Sequence, residues 1–228
     1  AILSKTDMPS TTTLPQLTVA PMEGLTTCVF RRLHAQIFGA ADRYYLPFVT
    51  PTTLPQFTDR QMRELTPAVN AGLTVVPQLM TRHAADFLWA ARSLADMGYT
   101  EVNLNCGCPA GTVVAKGKGA GFLSDPIGLR EFLDAVFEKE LPIAVSIKTR
   151  LGLKSPEEFE GLVELYNLYP LARLIVHPRI RSDFYKGDAR REVLLAVMGD
   201  IRAPLGVNGD IVTPADIAQV AQSFSTSP

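Results

Sequence analysis

The sequence reads as an α/β protein of the TIM (β/α)8 barrel type, and three features point there. Short runs rich in β-branched residues recur along the 228 residues, each followed by a longer stretch whose apolar side chains are spaced by three and four. Runs such as Ile143–Ile147 and Arg173–Val176 are apolar on both faces, as parallel strands covered by helices must be. Seven such units stand in series, which suits a barrel better than a doubly wound sheet.

Strands are expected at Leu17–Met22, Arg43–Val49, Thr74–Leu79, Glu101–Asn105, Ile143–Lys148, Arg173–His177 and Leu205–Asn208. Helices are expected at His83–Gly98, Pro126–Leu141, Pro156–Tyr169 and Thr213–Phe224. Pro126, Pro156 and Pro214 occupy first-turn positions that tolerate proline, with Asp125, Ser155 and Thr213 ahead of them as caps. Residues 1–16 read as a flexible tail and residues 17–228 as the barrel domain. The final helix runs out at Pro228, so an eighth strand and its helix are expected to lie beyond it or to be absent, and an open array's two unpaired edges favour the former.

Hydrophobic residues make up 46% of the chain, enough for a substantial core. The 22 basic and 23 acidic side chains nearly cancel, so no overall field favours nucleic acid or anionic membrane, and any such surface must be local. No apolar run reaches the roughly 20 residues of a membrane helix, and the first residues lack a signal peptide's order of basic then apolar. Three cysteines, Cys28, Cys106 and Cys108, are too few for a disulfide framework and read as thiols in a reducing, cytoplasmic setting.

Polar residues gather where the strands end: Glu23, Gln78, Asn105, Lys148, His177 and Asn208. In a barrel these share the C-terminal rim, where active sites of this fold lie. The most distinctive stretch, Asn103–Leu123, ends a strand in Cys106-Gly107-Cys108-Pro109 and continues into a glycine- and lysine-rich run. Its C-x-C spacing lacks the paired ligands of a zinc site, so no metal is expected. It also fails the Walker A pattern, because Gly117-Lys118 is followed by Gly119, and the G-x-G-x-x-G pattern, because Phe122 stands at the third glycine. A cysteine delivered to a barrel mouth remains, beside the alternative of a buried structural thiol.

In order along the chain, Ala20–Gly24 (APMEG), Pro77–Thr81 (PQLMT), Asn103–Pro109 (NLNCGCP), Ser146–Gly152 (SIKTRLG), Val176–Arg179 (VHPR) and Gly206–Ile211 (GVNGDI) resemble the tRNA-dihydrouridine synthases. The resemblance spans about Leu17 to Phe224, and its N-x-N-x-G-C-P element most resembles the bacterial C-type branch. It implies a monomeric FMN barrel that uses NADPH to reduce the C5=C6 bond of particular uridines in tRNA. Hydride would pass from flavin N5 to C6 and a proton from Cys108 to C5. An unperturbed thiol, pKa about 8.5, is mostly protonated near neutrality, the state a donor requires.

By the same resemblance Lys148 approaches the N1/O2 side of the flavin, where positive charge stabilises the reduced anion. Gln78 meets the ring edge, Pro21 and Met22 lie against the isoalloxazine, and His177 stands beside it. Asn208, Gly209 and Asp210 form the first of two loops around the phosphate and ribityl chain, with Asp210 contacting hydroxyls or orienting the loop. The second such loop, and the family's helical tRNA-gripping domain, are expected after the eighth strand.

Asn105, Arg150, Arg179, Lys116 and Lys118 are expected at the substrate, the two lysines reaching phosphates beside an outturned uridine. Within Arg179–Arg191, five cations against two aspartates leave a net +3, with Phe184 and Tyr185 interleaved as stacking surfaces. Two other readings stand beside this one: a flavin barrel acting on a free pyrimidine, and a non-catalytic truncated barrel.

Overall fold

The computed structural model describes residues 2–4 and 15–225. Nine strands form one sheet: β1 Ile2–Ser4, β2 Thr18–Val19, β3 Arg43–Tyr45, β4 Val75–Val76, β5 Gln78–Leu79, β6 Glu101–Cys106, β7 Ala144–Gly152, β8 Arg173–Ile180 and β9 Leu205–Asn208. Their spatial order is β4-β3-β2-β1-β9-β8-β7-β6-β5. β4 and β5 are halves of one run split at Pro77, which has no N–H to give a ladder. β4 pairs with β3 and β5 with β6, so the two ends of the order meet at Pro77 and the sheet returns on itself. All seven expected strands are present, and wherever they pair with one another they are parallel.

The remaining place in the ring is taken by part of the expected tail. Residues Ile2–Ser4 run antiparallel to both β9 and β2, where two edges offered unpaired backbone groups. Residues 1 and 5–14 of that tail lie outside the described residues.

Eight α-helices surround the strands: α1 Cys28–Phe38, α2 Asp59–Leu65, α3 Ala84–Asp96, α4 Gly111–Val114, α5 Pro126–Phe137, α6 Glu158–Tyr166, α7 Arg191–Val197 and α8 Pro214–Ser225. Asp125 caps α5 by accepting the Gly128 amide at 2.9 Å, and Thr213 and Asp216 accept one another's amides at the start of α8. Ser155 does not cap α6. The Glu158 carboxylate accepts the amides of Leu153, Lys154 and Ser155 at 2.7, 2.9 and 2.9 Å, holding them in a turn and delaying the helix to Glu158.

The core fills the space between sheet and helices, with Leu104, Val145, Ile147 and Leu174 from the strands against Phe87, Leu94, Phe132, Leu133 and Phe159 from the helices. Helix α1 is reversed. Its buried residue is Arg31, whose guanidinium donates to Thr26 O (2.7 Å), Glu64 Oε2 (3.0 Å) and Asn70 Oδ1 (2.8 Å), while Val29, Phe30, Leu33, Ile37 and Phe38 face outward. No helix among the described residues is long and apolar enough to cross a membrane.

Candidate active site

The C-terminal ends of the strands enclose a cavity of about 930 Å³. All six polar strand-end residues read from the sequence line it: Glu23, Gln78, Asn105, Lys148, His177 and Asn208. Pro21, Met22, Cys108, Arg150, Arg179, Gly209 and Asp210 line it too. Met22 is exposed there rather than packed inside, because the turn behind it is fixed by Thr26, whose Oγ1 accepts the Met22 amide at 2.9 Å. Lys116 and Lys118 are not among the lining residues; they stand on the loop beyond Cys108, Lys116 exposed and Lys118 half-buried.

That loop is no mobile glycine run. It forms α4 and a 3-10 turn, Gly119–Ser124, whose residues Gly119 to Leu123 are buried. Gly119 has φ +56°, and a Cβ there would stand 2.8 Å from Cys108 O and 2.9 Å from Cys108 Cβ. The glycine lets the chain fold back onto the cysteine, and Ala120 N then donates to Cys108 O at 2.9 Å. Cys108 is thereby fixed from behind and half-exposed toward the cavity. Cys106, two residues earlier, points into the core, and burial pushes its thiol up to about 12.

The turn is also fixed from below. Asn105 Oδ1 accepts the amides of Gly107 and Cys108, both at 3.0 Å, and Asn105 Nδ2 donates to Gln78 Oε1 at 2.8 Å. Asn105 and Gln78 thus stand on the cavity wall with their orientations tied to the cysteine.

The cavity is cationic. Lys148 ends the apolar part of β7 and makes no ion pair among the described residues; burial, then Arg150, lower its pKa to about 7, with Cys108 partly offsetting both. Arg150 is buried, its Nε donating to Gly107 O (2.7 Å) and one Nη to Ile180 O (3.1 Å), while Nη2 has no partner. Its guanidinium lies 5.4 Å from the centroid of the Tyr185 ring. Burial and the three neighbouring cations Lys148, Arg150 and Arg179 drive His177 down to about 2, so it is neutral. Its Nε2 accepts from Arg179 Nη1 at 2.9 Å, which leaves the ring proton on Nδ1.

Arg179 is the organiser of this corner. It is buried, pairs with both oxygens of Asp210 (2.9 and 2.8 Å), and donates to the Gly187 and Lys186 carbonyls. Those bonds tie most of its donors to the protein while it lines the cavity. The Asp210 carboxylate takes Arg179 and the Ala189 amide, which ties its loop to β8 and the segment after it. Gly209 has φ +105°, and a Cβ would stand 2.8 Å from His177 Cδ2, so the loop can lie against the histidine only as glycine.

The arginines after Arg179 are largely engaged within the protein. Arg190 pairs with Asp183, Arg191 donates to the Gly209 and Asp210 carbonyls, and Arg181 lies over the Phe184 ring at 5.0 Å. Phe184 and the exposed Tyr185 do line the cavity, Phe184 at φ 54°, a strained conformation for an aromatic residue. Sequence reasoning missed Asn103 and Ser146, buried polar residues that extend the Gln78–Asn105 contact; their signal was a polar residue flanked by apolar ones, Val102 and Leu104 in one strand and Val145 and Ile147 in the next.

Lys148 without an ion pair among the described residues, a half-exposed thiol and an aromatic rim together suit a flat ligand carrying negative charge. The family model described as dihydrouridine synthase (Dus) matches residues 18–226. A probable tRNA-dihydrouridine synthase of Rhodobacter capsulatus is 31% identical over 208 residues, covering 88% of this chain and 61% of the relative. Proteins of the same description from Staphylococcus epidermidis and Staphylococcus aureus are 31% and 30% identical, with 63% and 65% of their lengths covered. This chain therefore spans somewhat under two thirds of these relatives, and within that span it belongs to the dihydrouridine synthase family.

Proposed function

We propose that this cavity reduces the C5=C6 bond of uridines in tRNA, with FMN as resident cofactor and NADPH as the source of electrons. The observation that carries the reading is the arrangement around Cys108: a thiol held by Asn105 and Gly119 on the wall of the cavity that also holds Lys148, Arg150 and His177. Gln78, Lys148, His177 and the Pro21–Met22 backbone would hold the FMN ring, and Asn208, Gly209 and Asp210 would border its ribityl phosphate. FMN, once reduced by NADPH, supplies the hydride for C6.

Cys108 Sγ–H delivers the proton to C5, so the pyrimidine gains two electrons and two hydrogens, and the thiolate left behind is reprotonated from solvent. Lys148 stabilises negative charge on its neighbours, and any anion that joins it restores its own charged state. Neutral His177 offers Nδ1–H as a donor without adding a fourth charge. The second Nδ2 hydrogen of Asn105 is a donor suited to a uracil carbonyl, and Arg150 stands behind the Cys108 turn as a positive charge on the same wall. Lys116 and Lys118 stand outside the cavity, where RNA phosphates would pass.

The test is Cys108→Ala, assayed with unmodified tRNA and with free uracil. Flavin reduction by NADPH should persist while dihydrouridine formation falls about 10² to 10⁴-fold, the range expected for losing a general acid. Unchanged dihydrouridine yield would remove Cys108 from the chemistry, and turnover of free uracil in place of tRNA would favour a free-pyrimidine reductase.

A further inference from the structure

Gln78, Asn103 and Ser146 are directly opposite one another on β5, β6 and β7. All three are fully buried, and only Gln78 reaches the cavity. Gln78 Nε2 donates to Asn103 Oδ1 at 2.7 Å, and Asn103 Nδ2 donates to Ser146 Oγ at 2.8 Å. With the Asn105 contacts, this makes one continuous row from the Cys108 turn across three strands.

The direction of that row is determined at one end. The amides of Gly107 and Cys108 can only donate, so Asn105 must turn its oxygen to them and its nitrogen to Gln78. Gln78 must then present oxygen to Asn105 and nitrogen to Asn103, which in turn must present its nitrogen to Ser146. A reversal of any one amide would set donor against donor or oxygen against oxygen in a dry interior. Gln78 and Asn105 are left with one uncommitted N–H each, so the wall offers donors and fits the acceptor edge of a heterocycle.

We propose that Asn103 and Ser146 are positioning residues that lock the amide orientations of Gln78 and Asn105 and, through Asn105, the turn that presents Cys108. This rests on the reading of the cavity as an FMN and uridine site only for its effect on turnover. Without the Ser146 hydroxyl, the Asn103 Nδ2 group is a buried donor with no acceptor, and the direction set at the Cys108 end is held less strongly.

The experiment compares Ser146→Ala and Ser146→Thr in the full chain. Amide hydrogen exchange at Gly107 and Cys108, read by NMR on protein without ligand, should accelerate about tenfold in Ser146→Ala, since an orphaned buried donor weakens the row by about that factor. Ser146→Thr, which keeps the hydroxyl, should return it to within about twofold. In the loaded enzyme, Ser146→Ala should lower kcat for uridine reduction and leave the KM for NADPH unchanged. Unaltered protection of Gly107 and Cys108 in Ser146→Ala overturns the proposal. If that variant fails to fold, the side-chain NH2 protons of Gln78 and Asn103 in the unsubstituted protein decide: exchange at the rate of a free amide overturns the row, and strong protection supports it. An altered exchange pattern in a protein that reduces no uridine would sink the functional reading and leave the row standing.

Discussion

An ammonium beside a buried guanidinium is unfavourable until an anion joins it, and Lys148 is in that position. Its pKa in the fold is about 7 against an ordinary 10.5. Between those values the unfolded chain holds a proton that the folded chain does not, so this group makes stability rise with pH across the window and costs most at or below its lower end. Lys148→Met should therefore stabilise the ligand-free protein at pH 7 by about 1–3 kcal/mol, less than the full shift implies because the group is partly open to solvent. The gain should vanish toward pH 10.5, and FMN binding should weaken; urea melts across pH and flavin titration check both. The six strand-end polar residues were legible because a polar side chain closing an apolar strand is conspicuous. Arg179 was legible as a cation at the site, but not its burial, which depends on the Gly187 carbonyl in the following loop and on Asp210 from a segment distant in sequence.

Among the elements, caps decide where helices start. Asp125→Ala should remove the bond to the Gly128 amide and destabilise the protein by about 1 kcal/mol, measured by chemical denaturation. That cap could be read directly, since Asp-Pro before a periodic run has one meaning. Ser155-Pro156 gave the same signal and the helix began later, because Glu158 drew three amides into a turn that no local pattern announces. α1 was the least legible helix. Its apolar stripe argues for an inward face, whereas Arg31, with Glu64 and Asn70 waiting for it, is what the fold buries.

For the whole molecule, six strand pairings among the described residues are parallel and two, both made by β1, are antiparallel. Seven strands could be counted in the sequence, but three residues pairing across β9 and β2 carry no periodicity to read. A chain beginning at residue 5 should leave those edges open and associate with rising concentration, seen by light scattering; a monomer as stable as the parent would show that β1 contributes nothing to closure. The hydrocarbon stripe of α1 acts at this scale too. Sulfate strengthens contacts between such surfaces, so salting-out should begin at lower ammonium sulfate than the chain's near-neutral charge alone dictates. Leu33→Glu with Ile37→Glu should move the precipitation point upward, making that helix a practical handle on how the protein is purified and concentrated.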